Sequence, residues 1–280
     1  MTGLVTGPVI ALALTAAVLH ASWNAFLRSG ADRLWSATVM SIVMALIAVP
    51  FALLGPLPPA AAWPYLVASS GLQVGYSFFL VAAYRYGQLG QVYPIVRGTA
   101  PVLVTIGGFL IVGQGLSVSS QCGVLLIGVG IMSLARGRPR PPTTSILFAF
   151  LTGCIIAGYA LVDSKGVRVA GDSIVYTSWL SLLYGLLLPV GFIAVRRSVI
   201  RVELRSRETL RAVAGGAFSL VAYAAVMAAF ALGPAGPITA LRETSVIFAV
   251  LIGWVFLDEP LTARRVGACV VVVAGAVLLM

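Results

Sequence analysis

Two arginines stand where a hydrocarbon environment would make them costly. Arg97 lies in Tyr93-Pro94-Ile95-Val96-Arg97-Gly98-Thr99-Ala100, and Arg242 in Thr239-Ala240-Leu241-Arg242-Glu243-Thr244-Ser245. Each is inside an apolar stretch long enough to cross a bilayer. A cation at the centre of a membrane helix costs about 2.5–3.5 kcal/mol even on the gentlest scale. The two positions coincide when the halves of the chain are laid over one another. Such a cost at repeat-related positions implies a polar cavity at mid-membrane, where a carrier holds its cargo.

Two roles fit each arginine. One is structural: capping carbonyls, or pairing with Glu243 across the repeat. The other is contact with an anionic group of a cargo, favoured for Arg97, which has no acidic neighbour in sequence. Glu243 is the one acidic residue expected deep in a span. Neutralising an arginine is its leading role, ahead of binding a cargo ammonium or carrying a proton.

Other polar and aromatic residues fall at helical spacing. His20, Trp23 and Asn24 share a face at i, i+3 and i+4. Tyr93 and Arg97 share another, as do Thr239, Arg242 and Glu243. Gln73 and Tyr76 begin a face that Phe79 and Leu80 continue. Ser219 and Tyr223 correspond to that region in the second half, and Tyr159 corresponds to Trp23. Trp179 also falls deep. His20, the sole histidine, reads first as a hydrogen-bonded packing residue and second as a proton carrier. Apolar rings with a few convergent polar groups suit a small organic ligand. Phosphates would favour more cationic groups. The candidate substrate-binding set is therefore His20, Trp23, Asn24, Gln73, Tyr76, Phe79, Tyr93, Arg97, Tyr159, Trp179, Tyr223, Arg242 and Glu243. Walker, dinucleotide and HExxH patterns are missing from the sequence, and no acidic pair leaves room for acid–base chemistry. No enzymatic role, metal or cofactor is expected.

Helices must position these side chains. Of the 280 residues 60% are hydrophobic and 9% charged, with mean hydropathy +1.05. A soluble domain is roughly a quarter charged. Ten windows of crossing length fit, near 5–27, 34–54, 64–84, 90–111, 119–135, 145–163, 174–195, 210–231, 236–257 and 265–280. They leave no room for a soluble domain of ordinary size. The ten-residue alternation of a membrane β-barrel is missing. The expected architecture is an all-α membrane protein of ten transmembrane helices. Trp35 and Trp63, at window ends, fit interfacial anchors. Cys122, Cys154 and Cys269 lie within windows at no metal spacing and read as packing residues. The fifth and tenth windows are almost free of polar side chains and read as scaffold or a subunit contact. Pro94 and Pro101 fit either an ordinary kink or carbonyls freed to face a cavity.

The net charge of +10 is no sign of nucleic acid, because the basic residues are scattered through short loops. Fourteen of them fall in odd-numbered loops; the even loops hold only Lys165 and Arg168. The positive-inside rule puts the odd loops in the cytoplasm and both termini on the outer, periplasmic side. The first window lacks a basic start and a small-residue cleavage site, so it does not read as a signal peptide.

The halves meet at Arg136-Gly137-Arg138-Pro139-Arg140-Pro141-Pro142. Ala82-Ala83-Tyr84-Arg85-Tyr86-Gly87-Gln88-Leu89-Gly90 matches Ala228-Ala229-Phe230-Ala231-Leu232-Gly233-Pro234-Ala235-Gly236. The match runs on through both arginines to Gln114-Gly115-Leu116-Ser117 and Glu259-Pro260-Leu261-Thr262. The expected units are residues 1–135, a cytoplasmic linker 136–144, and residues 145–280. Five windows per half is odd, so the second half enters the membrane in the opposite sense. This is an inverted repeat, able to open to either side in turn.

Leu19-His20-Ala21-Ser22-Trp23-Asn24-Ala25 resembles the opening of EamA-type members of the drug/metabolite transporter superfamily. The stretch from Ile247 to Thr262, ending Leu257-Asp258-Glu259-Pro260-Leu261-Thr262, is similar to that family's signature at the end of the ninth span. Gly113-Gln114-Gly115-Leu116 in the first half departs from its acidic-acidic-proline pattern. The resemblance implies two inverted five-helix halves around a central cavity. It also implies export of small metabolites, often amino acids, from a bacterial-type inner membrane without ATP hydrolysis. The aromatic candidates look most like a YddG-like exporter of aromatic amino acids. Export of cationic or lipophilic drugs is the alternative, followed by a non-transporting receptor or assembly protein. The expected partners are a small-molecule substrate and the bilayer. Monomer or homodimer is left open, as is proton coupling against facilitated diffusion.

Overall fold

A computed structural model describes residues 6–28, 32–86, 89–113, 115–135, 142–203, 205–257 and 261–280. The described residues form eleven α-helices and one 3-10 turn at 60–62, and no strand. The first half contains α1 (Gly7–Arg28), α2 (Arg33–Leu54), α3 (Trp63–Tyr86), α4 (Leu89–Val112) and α5 (Val118–Ser133). The second contains α6 (Thr143–Ala170), α7 (Ser173–Arg196), α8 (Arg207–Leu232), α9 (Ala235–Arg242), α10 (Ser245–Leu257) and α11 (Ala263–Leu279). Most of the expected linker, and the acidic pair before Pro260, lie outside the described residues.

Helix ends follow local chemistry. The Asp32 carboxylate accepts from the backbone of Leu34 and Trp35 and starts α2; Asp172 does the same for α7 through Ile174 and Val175. Each supplies an acceptor to amides that the first turn leaves unpaired. Gly171, at φ 74°, turns the chain out of α6 in the left-handed region that a side chain would resist. The turn between α6 and α7 is thus one glycine and one aspartate.

Seven of the ten windows become helices long and apolar enough to cross a membrane. α5 and α11, at 16 and 17 residues, are shorter. The ninth window is not one helix. It divides into α9 and α10 at Glu243 and Thr244. There the amide of Thr244 bonds back three residues to Leu241, Val246 to Glu243, and Ile247 to Thr244. These are 3-10 bonds, which overwind the chain, and such a stretch within a helix often marks a functional site. The corresponding window of the first half, α4, stays continuous through Pro94, Arg97 and Pro101.

α6 extends seven residues past the window that ended at 163. Lys165 and Arg168, expected in a loop, are therefore helical. Arg168 donates from Nε to the carbonyl of Phe230 at 2.9 Å, and from its terminal nitrogen to that of Gly233. It caps the end of α8, where carbonyls lack helical partners.

The helices pair across the halves: α1 with α8, α3 with α6, α2 with α7 and α5 with α11, while α4 lies on α6 and α9. α5 and α11, the windows almost free of polar side chains, meet through glycine. A Cβ on Gly123 would lie 2.7 Å from the carbonyl oxygen of Gly275, and one on Gly275 equally close to that of Gly123. Without side chains the two backbones can touch, the packing favoured in lipid. The expected packing role of the cysteines fails for Cys122, which is exposed; Cys154 and Cys269 are half-buried, and all three are free. Trp35 and Trp63 both have partners within the chain: the Trp35 indole donates to the carbonyl of Arg201 at 2.9 Å, and the rings of Trp63 and Trp179 stack edge to face at 5.2 Å.

Candidate functional site

The break between α9 and α10 puts the Glu243 carboxylate between the two arginines. Its Oε2 lies 2.7 Å from Nε of Arg97, and its Oε1 lies 3.4 Å from a terminal nitrogen of Arg242. All three residues are buried, with exposures of 4%, 5% and 1% for Arg97, Arg242 and Glu243. Two guanidinium groups therefore share one carboxylate, and the cluster carries one positive charge in excess. The Arg97 guanidinium lies 5.7 Å over the ring of Tyr93, whose negative face attracts it. The Tyr93 hydroxyl accepts from Nδ2 of Asn24 at 3.2 Å, and the same amide donates to the carbonyl of His20 at 3.1 Å. α1 and α4 are thereby joined beside the cluster.

His20 receives the Trp23 indole N–H on Nδ1 at 3.2 Å, with the two rings edge to face at 4.7 Å. An accepting Nδ1 leaves the proton of the neutral ring on Nε2. That Nε2 is buried and finds no partner among the described residues. Neither do Nε and one terminal nitrogen of Arg97, nor Nε of Arg242; the close Nε approach to Glu243 is an ion pair in which the N–H does not point at the oxygen. Every one of these orphaned groups is a donor. Buried polar groups are nearly always satisfied, so an unmet set of donors marks a place for acceptors supplied from outside the chain.

His20, Arg97 and Arg242 border a cavity of about 120 Å³. Trp23, Gln73, Tyr76, Tyr159 and Tyr223 line it too, so eight of the thirteen sequence candidates converge there. Both halves of the chain contribute. A hollow of about 150 Å³ accepts benzene, and drug-sized ligands occupy roughly 300–1,000 Å³. The cavity is smaller than either, so in this conformation it admits a small polar group, and a whole cargo requires it to widen.

The remaining candidates stand elsewhere. Asn24 and Tyr93 support the lining. Glu243 does not line the cavity; it sits behind the arginines. Phe79 packs on Phe148 at 5.9 Å, and Trp179 on Trp63. A helical period narrows a face only to within about a residue, and these two fall on the packed side of theirs.

Sequence reasoning missed Asp163. Glu243 is not the one deep acidic residue: Asp163 is fully buried on α6. The Tyr176 hydroxyl donates to its Oδ1 at 3.0 Å, and the Tyr223 hydroxyl to its Oδ2. Placing the end of the sixth span at 163 hid it; the glycine–aspartate pair at 171–172 is the signal that would have extended the helix. Tyr184, bonded to Ser77 at 3.1 Å, and Arg33 also line the cavity and were not foreseen there.

These features define a multi-helix membrane protein with a buried, cation-rich cavity. The EamA-like transporter family matches residues 7–136 and again residues 143–280. The chain belongs to that family, within the drug/metabolite transporter superfamily, and is a multi-pass membrane transporter. No curated protein matches it. Among 29 matching chains of solved structures, one described only as "Crystal structure of protein" superposes with TM-score 0.75. It is 20% identical, and the match covers 97% of this chain and 96% of that one. At that identity the likeness shows the fold alone.

Proposed function

We propose that this protein exports amino acids, neutral or aromatic, by alternating access. The observation that carries the reading is the unequal charge of the cluster. Arg97 and Arg242 share a single carboxylate, keep buried N–H groups without partners, as does His20 at Nε2, and border the cavity together with His20. A cargo carboxylate supplies both the missing charge and the missing acceptors. The cargo side chain then lies among Trp23, Tyr76, Tyr159 and Tyr223. Export of cationic or lipophilic drugs would call for a carboxylate exposed in the cavity. The sequestered Glu243 weighs against it.

Ten crossings are proposed, in two inverted halves, 1–135 and 145–280, joined by a cytoplasmic linker with both termini outside. The interhelical pairing supports this. Exchanging the halves converts the α1–α8 pair into the α3–α6 pair and returns α2–α7 and α5–α11 to themselves. A molecule with this symmetry has two equivalent ways to distribute its conformations, one open to each side. The test is counterflow of labelled phenylalanine and threonine into liposomes holding purified protein. Exchange inhibited by unlabelled amino acid, and weakened in Arg97→Gln, is expected. No exchange of any amino acid across a broad panel would overturn the proposal.

A further inference from the structure

The Asp163 carboxyl lies outside the arginine cluster yet is tied to the same cavity. Its two oxygens accept from Tyr176 of α7 and Tyr223 of α8. Tyr223 has spent its proton on Asp163, so its oxygen is free to accept, and Nε2 of Gln73 on α3 donates to it at 3.0 Å. The same Nε2 donates to Ser69 at 3.1 Å. Tyr223 and Gln73 both line the cavity. Three helices thus build one directed chain, Gln73 of α3 to Tyr223 of α8 to Asp163 of α6, with each donor pointing toward the carboxylate, and Ser69 of α3 accepts from the same amide and also hydrogen-bonds the Asp163 carboxyl. With Nε2 occupied inward, Oε1 is the part of the Gln73 amide left for the cavity.

We propose that Asp163 is a proton site, and that its protonation reverses this chain and so changes what the cavity offers a cargo. A proton arriving from cavity water makes one carboxyl oxygen a donor. With that proton on Oδ2, Tyr223 accepts from Asp163 and donates to Gln73. To accept, the Gln73 amide turns over, presenting Oε1 to Tyr223 and Nε2 to the cavity. The ionised state shows the cargo an acceptor, which suits an ammonium group; the protonated state shows it a donor, which does not. Cargo binding and protonation oppose one another, so cargo moving outward is exchanged for a proton moving inward. The proton is taken from water on one side and returned to water on the other; no other bond changes. This direction rests on the amino-acid reading above.

Arg97 on α4, with Arg242 and Glu243 at the end of α9, form the cluster already described. Tyr159, one turn earlier on α6, is in electrostatic reach of that cluster and of Asp163. Tyr176 and Tyr223 hold the carboxyl itself, and Tyr65 of α3 stands beyond Tyr176.

Infrared difference spectra of the purified protein, taken without cargo between mildly acidic and mildly alkaline pH, test the proton site. A carboxylic-acid band that appears on acidification and vanishes in Asp163→Asn is expected. An unchanged spectrum in Asp163→Asn overturns the proposal. Phenylalanine exchange in liposomes tests the relay. Wild-type affinity should rise with pH. Asp163→Asn, whose amide imitates the donor state, should bind more weakly with a flat profile. Tyr223→Phe should keep the infrared band and lose the pH dependence. A Tyr223→Phe profile parallel to wild type overturns the relay. If wild-type protein exchanges no amino acid, the cargo reading falls while the infrared result still decides the proton site.

Discussion

Glu243→Gln tests the charge balance of the cluster. The substitution keeps the shape of the side chain and removes its charge. Two buried guanidinium groups then lose the one carboxylate that contacts them, which in the native cluster lies 2.7 Å from Arg97 and 3.4 Å from Arg242. Removing one partner from a buried ion pair destabilises by about 3–5 kcal/mol, because the surviving charge stays desolvated. The double variant Glu243→Gln with Arg242→Gln restores the native excess of a single positive charge, now on Arg97. Directly contacting residues couple by roughly 0.5–3 kcal/mol, so the double variant should be more stable than the single one by about 1–3 kcal/mol. Thermal unfolding in detergent, compared at one scan rate because such unfolding is irreversible, measures the order. Added phenylalanine should stabilise Glu243→Gln more than wild type, since a cargo carboxylate replaces the lost one. If the single variant is as stable as wild type, or the double variant falls below wild type by the sum of the two separate effects, the shared-carboxylate account is wrong.

Arg97→Gln leaves the neutral Arg242–Glu243 pair and a folded protein. Loss of a charge-assisted bond worth about 1.5–3 kcal/mol should weaken amino-acid binding roughly tenfold to hundredfold, read by isothermal titration. Tyr159→Ala removes a ring that meets Tyr76 edge to face at 6.1 Å in the cavity wall. Competition assays should show preference shifting toward bulkier side chains. Gly123→Val puts side-chain atoms where the Gly275 carbonyl lies and should lower stability by about 1–3 kcal/mol. Cargo affinity should be unchanged, because α5 contributes no cavity residue. Arg196→Ala breaks an exposed pair with Asp32, whose side chains are 46% and 41% accessible. A loss of at most about 1 kcal/mol, shrinking further in salt, is expected in thermal unfolding.

The membrane-spanning character and most of the cavity were legible from residue order, because both depend on local quantities. Hydropathy over some twenty residues decides whether a segment can cross lipid. A cation inside such a segment needs a polar partner wherever the segment goes, so Arg97 and Arg242 declared themselves. Helical spacing likewise picked out His20, Trp23, Gln73 and Tyr76. What residue order left undecided depends on contacts between distant segments. Glu243 serves both arginines because the chain overwinds where α9 meets α10, and periodicity carries no sign of that turn. Asp163 looked like the end of a span until α6 ran on to Ala170 and phenols from α7 and α8 closed over it. Phe79 and Trp179 had the right spacing and the wrong side, since neighbouring helices, not their own, settle which face is covered. The sequence by itself determined which residues are too polar for lipid. Tertiary structure alone decided which of them satisfy one another and which donors remain for a cargo.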